Sequence, residues 1–349
     1  MMVLRVLLFP FAVLYDLVTS IRNQLYDLGL KPSASFDVPV ISVGNLAVGG
    51  TGKTPLVEHL IRLLHKDYRV ATLSRGYGRK TKGFRIAQSA DNASTLGDES
   101  FQFYRKFADE VVVAVGEERA LAIPLLVDNV EDLGVILLDD AYQHRKVRPS
   151  FSVLLTDYHN PFYNDFLMPA GRLREGRKGA SRADIVVVTK CPDELQEDRM
   201  MSMEQEIRKY CDKPVFFARI HYVDPLPFTH TTGEIGEKVV LVSGIANDRT
   251  LVEYVHKNFQ IVKHFSFNDH HNYSRLDVKA IVEHAKKHNA SILTTEKDAV
   301  KLDHKEFREL LLGSDCFYIP IEPEFVKSGR DFDEMILDAI SRAQNKKDD

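Results

Sequence analysis

"VGNLAVGGTGKTPLVEHL" (Val43–Leu60) places a glycine-rich turn, a lysine and a threonine between an apolar run and an amphipathic one. The pattern G-x-x-x-x-G-K-[ST] binds phosphate. Its glycines let backbone N–H groups close around the oxygens, the lysine reaches the β/γ-phosphates, and the hydroxyl holds magnesium. Gly52, Lys53 and Thr54 fit the pattern, whereas Ala47 stands at the first glycine. The apolar run "VPVISVG" (Val38–Gly44) reads as the strand before the loop, and "TPLVEHLIRLL" reads as the helix after it, whose N-terminal dipole favours an anion. Pro55 falls in the first turn of that helix, where a missing N–H is tolerated. Ala47, Val48, Gly49, Gly50, Thr51, Gly52, Lys53 and Thr54 are therefore expected to surround a nucleotide's phosphates.

Working outward, β-branched runs alternate with amphipathic stretches, the pattern of a parallel sheet covered by helices on both faces. Candidate strands after the first are "RVATLS", "VVVAV", "GVILLDD", "FSVLLTD" and "DIVVVTK", giving a six-strand P-loop NTPase-like α/β unit. "KPVFFARIHYVDPLPF", extended, aromatic-rich and carrying Pro225 and Pro227 near its end, reads as a ribbon or linker. Beyond it, "KVVLVSGIA", "FQIVKHFSF", "ASILTTEKD" and "CFYIPI" suggest a second, smaller α/β domain, and the cleft between two such domains is a preferred ligand site. The expected division is a helix over 1–30, a P-loop domain over 31–213, and a ribbon plus C-terminal domain over 214–349.

The chain has 349 residues, more than one hydrophobic core usually organises, which agrees with two domains. Its net charge of −4 gives no sign of a nucleic-acid partner. Cys191, Cys211 and Cys316 are odd in number and far apart, as suits a reducing compartment. "VLLFPFAVLY" near the N-terminus is too short to span a bilayer, which takes about 20 residues. It is also followed by no small-residue cleavage site. At helical spacing Phe11, Leu14, Val18, Ile21, Leu25 and Leu28 share a face, Gly29 supplies a stop, and Pro10 is expected in the first turn. Periodicity leaves two readings: a helix packed on the protein's own core, or an anchor lying on a membrane.

"GVILLDD" ends in Asp139 and Asp140, so a carboxylate is expected to meet Mg²⁺ at the carboxyl edge of the sheet. "VVVTKCPDE" invites comparison with the guanine-reading N/T-K-x-D motif, but Pro192 occupies the aspartate's position. "GRLREGRKGASR" gathers Arg172, Arg174, Arg177, Lys178 and Arg182, either to grip phosphates or as a solvated basic loop. Arg75, at a strand end, is a candidate phosphate or substrate contact or merely a helix partner. Taken alone, Asp98 reads as a loop or cap carboxylate and His270 as a surface histidine. His270 and His271 are adjacent and lack a third ligand at a recognisable spacing, so no zinc site is expected.

Together, "VGNLAVGGTGKTP", "LSRGYGR", "LGDE", "LLDDAYQHR", "MPAGRLREG", "FNDHHNYS" and "TTEKDAVKL" resemble the tetraacyldisaccharide 4′-kinase family, in the family's order from Val43 to Leu302. The resemblance implies transfer of the ATP γ-phosphoryl group, with Mg²⁺, to the 4′-hydroxyl of a tetraacylated glucosamine disaccharide 1-phosphate. This would occur at the cytoplasmic face of the bacterial inner membrane, with the lipid and the membrane surface as partners and no protein partner implied. It favours the anchor reading of the N-terminal helix.

By the same resemblance, Lys53 and Thr54 match the phosphate lysine and the magnesium hydroxyl, and Asp139 and Asp140 match the acidic pair at the metal. Asp98 matches the general base, and His270 matches its partner from the second domain, with Asp269 read as orienting that histidine. Arg174 and Glu175 match a pair beside the nucleotide. "TTEKD" is left with a supporting role. Ala47 departs from the hydroxyl residue usual in the family, which removes one phosphate contact. A regulatory P-loop NTPase is the alternative class, separated from a kinase by whether labelled γ-phosphate reaches lipid.

Overall fold

The computed structural model describes residues 2–231, 233–269 and 271–345. Helix α1 (Met2–Asp27) leads into β1 (Val40–Asn45), α2 (Lys53–Leu64), β2 (Arg69–Ser74), β3 (Arg85–Ile86), α3 (Ala93–Leu96) and α4 (Asp98–Phe107). The first unit continues through β4 (Val111–Val115), α5 (Arg119–Asn129), β5 (Leu133–Asp139), β6 (Phe151–Asp157), β7 (Ile185–Cys191), α6 (Glu197–Arg208) and β8 (Val215–Tyr222). A second unit holds β9 (Leu226–Pro227), β10 (Lys238–Ser243), α7 (Arg249–Asn258), β11 (Gln260–Ser266), α8 (Arg275–His288) and β12 (Ser291–Thr295). It is completed by α9 (Glu296–Leu302), α10 (Arg308–Leu311) and β13 (Cys316–Ile319), after which the chain returns through β14 (Ile321–Phe325) and α11 (Gly329–Asn345).

The first sheet runs β14-β8-β7-β6-β1-β5-β2-β4-β3, and the second runs β11-β10-β12-β13-β9. Strands β4, β2, β5, β1, β6, β7 and β8 pair in parallel, while β3 and β14 add antiparallel edges. Being central, β1 is buried along its whole length, which is why it reads as an apolar run rather than an alternation. Ile41 and Val43 point to a layer made with Leu56, Leu60, Ile61 and Leu64 of α2 and Phe332 and Ile336 of α11. Val40, Ile136 and Leu138 face Ile123 and Leu126 of α5 on the opposite side. β5 and β6 flank β1 on either side, so the loop after β1 sits at the switch point of the sheet, where ligands of open α/β folds bind.

All six strands expected in the first unit form, as do the four of the second. The expected break at 213/214 does not follow the sheets, because β8, β14 and α11 lie beyond it yet complete the first sheet and its core. β14 joins by antiparallel pairing with β8, Phe325 opposite Ala218, a long-range contact that local composition does not encode. Pro10 is also displaced from its expected place, since α1 begins at Met2 and the proline lies in its interior.

α1 inverts the usual arrangement of a surface helix. Its polar side docks: Tyr15 Oη donates to the Arg174 carbonyl at 2.9 Å, Asn23 Nδ2 to Glu175 at 2.7 Å, and Arg145 pairs with Asp27 at 2.6 Å. Its apolar side faces outward, with Leu7, Phe11, Leu14, Leu17, Val18 and Ile21 each at least half exposed. No helix among the described residues is long and apolar enough to cross a membrane.

Candidate active site

The phosphate loop is shaped before any ligand arrives. Gly52, at φ +77°, takes the left-handed turn that opens α2, a conformation glycine adopts without strain. Asn45 Nδ2 donates to the Ala47 carbonyl at 2.7 Å and to Thr51 Oγ1 at 2.8 Å. The stretch 46–48 pairs with 172–174: Val48 N donates to the Arg172 carbonyl at 2.8 Å, and Arg174 N to the Leu46 carbonyl at 2.7 Å. Ala47 is buried in this bridge against Leu173 and Tyr142, so its methyl packs where a hydroxyl would need a partner.

Thr189 and Lys190, the pair that suggested base reading, serve the loop instead. Thr189 Oγ1 donates to the Thr51 carbonyl at 2.9 Å, and Lys190 donates to the Gly50 carbonyl while pairing with Asp157 at 3.0 Å. Sequence reasoning missed this role, although the strand-end Thr-Lys pair was its visible signal.

β5 runs beside β1 with Asp139 level with Val43, which carries both aspartates to the phosphate loop. Lys53 stands 3.6 Å from Asp140, and Arg174 meets both oxygens of Asp140 at 3.0 Å. The two aspartates divide accordingly. Although burial pushes the Asp140 carboxyl upward, Lys53 and then Arg174 pull it below the usual range. Asp139, 1% exposed, is raised to about 8, first by burial and then by the Glu99 carboxylate. Its Oδ1 has no hydrogen-bond partner among the described residues, so either a proton or a cation is needed to offset a charge buried there. Glu99, beside Asp98 in "LGDE", is thus a further member of the site that the sequence reading passed over.

Asp98 enters from the adjacent strand connection. Gly97 caps α4 at φ +89°, and a Cβ there would fall 2.7 Å from the Tyr77 carbonyl, so the segment after β2 presses directly against this helix start. Ser74 and Ser100 hydroxyls, 2.5 Å apart and buried, tie the end of β2 to α4. Asp98 forms an ion pair with Lys301 of α9 at 3.0 Å. His270 lies outside the described residues. Its neighbour Asp269 pairs with Lys297 at 2.9 Å, so the structure gives that carboxylate a partner on α9.

Glu175 does not face the loop as a free carboxylate. It is buried and accepts from Asn23, Gln143 and Arg182, at 2.7, 3.0 and 2.8 Å, joining α1 to the site's base. Arg172 and Arg177 likewise bind Asp165, through its carboxylate and its carbonyl, which makes much of the basic segment an internal brace. Arg75 is exposed where β2 ends. Arg119, buried at the start of α5, donates to the Asp140 carbonyl at 3.4 Å and is a cation the sequence reading missed.

Comparison with known proteins places these features in one family. The family model "Tetraacyldisaccharide-1-P 4′-kinase" matches residues 4–341. The tetraacyldisaccharide 4′-kinase of Flavobacterium johnsoniae is 46% identical, the match covering 97% of this chain and 98% of that protein. The one from Bacteroides fragilis is 40% identical, covering 95% and 92%. The crystal structure of "apo" form LpxK from Aquifex aeolicus in complex with ATP superposes with a TM-score of 0.76 at 29% identity, covering 97% of this chain and 99% of that one.

Proposed function

Since the chain belongs to the tetraacyldisaccharide 4′-kinase family, we propose that its phosphate loop and the start of α4 are the two halves of the active site. The protein is an ATP-dependent kinase that phosphorylates the 4′-hydroxyl of a tetraacyldisaccharide 1-phosphate in lipid A biosynthesis.

Phosphoryl transfer asks for positioning and charge neutralisation more than covalent chemistry. In our reading the amides of residues 49–54 and the Lys53 ammonium hold the β/γ-phosphates, while Ala47 and Val48, bridged to 172–174, support the loop from behind. Thr54 and Asp139 would hold Mg²⁺, which offsets the charge on the transferring group. Asp140, held between Lys53 and Arg174, keeps those cations beside the phosphate loop, and would complete the acidic pair at the metal. Asp98 accepts the proton of the 4′-hydroxyl with His270 as its partner, and Asp269 would orient that histidine. Arg75 and Arg119 add positive charge on the phosphate side.

α1 lies on the cytoplasmic surface of the bacterial inner membrane, peripherally or as a monotopic anchor. Its outward apolar stripe supports this, because monomeric proteins rarely leave so large an apolar patch to water. A substrate with four acyl chains stays in the bilayer, so the enzyme must come to it. Docking of the polar side of α1 on Arg174 and Glu175 links that surface to the nucleotide site.

The observation that carries the assignment is the meeting of Lys53, Asp140 and Arg174 beside a buried Asp139 whose Oδ1 has no hydrogen-bond partner among the described residues. The test is transfer from γ-labelled ATP to tetraacyldisaccharide 1-phosphate in micelles with Mg²⁺. Label should enter lipid with wild type and fall about 10³-fold with Asp98→Asn; undiminished transfer by the variant would remove Asp98 as base.

A further inference from the structure

We propose that Lys301 is a positioning residue that sets Asp98 against Asp269 and His271, the described residues that flank position 270; the inference rests on the assignment of Asp98 as base. Lys301 comes from the second unit, within "TTEKDAVKL", where it follows Lys297 by one helical turn and so shares its face of α9. Both lysines reach the same loop. Lys297 pairs with Asp269 at 2.9 Å, and Lys301 donates to the His271 carbonyl at 3.1 Å. The residues on either side of position 270 are thus both held from α9. Lys301 reaches further, to the Asp98 carboxylate at 3.0 Å, and one ammonium spans the two strands of chain that the reaction must bring together.

The platform beneath it is fixed. Asp298 is fully buried and accepts from the Gly244 N–H at 2.8 Å and from Thr295 Oγ1 at 2.7 Å, pinning α9 to the ends of β10 and β12. Two further ion pairs clasp α9 and its C-terminal end to α4, Lys106 with Glu296 at 2.9 Å and Arg105 with Asp303 at 2.8 Å. The Lys301 side chain is only 8% exposed, and a buried ammonium is tolerated only where its hydrogen bonds are made. Holding both contacts fixes its rotamer and, through it, the direction of the Asp98 oxygens. Asp98, 21% exposed, stays open to the cleft. Misplacing a base by about 1 Å costs about 100-fold in rate, so this geometry matters more than the net strength of the pair.

Lys301→Met, which keeps the length and removes the ammonium, should lower kcat by about 100-fold while the dissociation constant for ATP stays within about twofold. Lys301→Arg should recover about a tenth or more of wild-type kcat, because it restores a cation with donors. In an Asp98→Asn background, Lys301→Met should add less than about a twofold loss, since a positioning residue has nothing left to position. Equal losses in both backgrounds, or wild-type kcat for Lys301→Met, would overturn the proposal and leave an ordinary interdomain brace. ATP binding by each variant reports that it is folded, and Lys301→Arg carries the test if the methionine variant is not. An active Lys301→Met beside an inactive Asp98→Asn removes this inference alone, whereas an active Asp98→Asn removes the base assignment beneath it.

Discussion

The phosphate loop and the α4–α9 junction are built by different physics. The loop is held mainly by uncharged hydrogen bonds within one unit: Asn45 to Ala47 and Thr51, Thr189 to Thr51, and the pairing of 46–48 with 172–174. The junction is held by charges reaching across two units, Lys301 to Asp98, Lys106 to Glu296, and Arg105 to Asp303. A nucleotide is the same in every turnover and suits a cradle formed in advance. The acceptor arrives attached to a membrane, and a half-site joined by ion pairs can part and re-form around it. Lys106 connects the two regions, since Glu58 belongs to the helix that the phosphate loop opens.

Removing the charge at the centre of the cradle should have the largest effect. Lys53→Ala leaves Asp140 with Arg174 and withdraws the cation from the β/γ-phosphates, so turnover should fall by about 10³-fold or more in the labelled-ATP assay. Activity within tenfold of wild type would show that the cradle does not depend on it.

A second, intermediate effect concerns how the acceptor side meets its lipid. Leu14 and Val18 are exposed one turn apart on α1, and replacing both by Asp takes charges into any apolar phase that the helix enters. Cosedimentation with anionic vesicles should drop about tenfold or more. Unchanged partitioning of the double variant would mean that α1 faces water and that its apolar stripe serves another contact.

The smallest expected effect is on stability. Glu58 is buried between Gln102 and Lys106, and its carboxyl is raised to about 7, first by burial and then by the Glu296 charge. The two carboxylates in turn hold the Lys106 ammonium above its usual range against the opposing effect of burial. The folded chain binds the Glu58 proton more tightly than the unfolded one. Its contribution to stability is therefore full below the ordinary value of 4.5 and is lost as pH rises through about 7. Glu58→Gln, permanently neutral, should remove this dependence: between about pH 5 and 8 the wild-type Tm should fall by a few degrees relative to the variant. Parallel Tm profiles would show that Glu58 ionises normally in the folded protein.

What the sequence disclosed follows the same division. The cradle was legible because its information is local: an apolar strand, glycines, a lysine and a helix lie within Val43–Leu60, and "GVILLDD" announces its carboxylates by itself. The junction was not legible from spacing. Asp98 and Lys301 are far apart in the chain, and nothing in the pattern around either residue marks the other as its partner; only family resemblance had drawn attention to Asp98. Glu175 was placed beside the nucleotide, yet its burial among Asn23, Gln143 and Arg182 depends on where α1 docks. The return of β14 and α11 to the first sheet escaped for a similar reason, because an edge strand such as "IEPEF" has no long apolar run to betray it.

The comparison turns on whether nucleotide binding and acceptor activation are separable. The direct measurement is the ATP affinity of the Asp98→Asn variant in the presence of Mg²⁺, set against its turnover. A cradle complete within the first unit predicts a dissociation constant within about twofold of wild type alongside the roughly 10³-fold loss of turnover. A parallel collapse of affinity and turnover would contradict it, and would move Asp98 from the acceptor side to the metal and its phosphates.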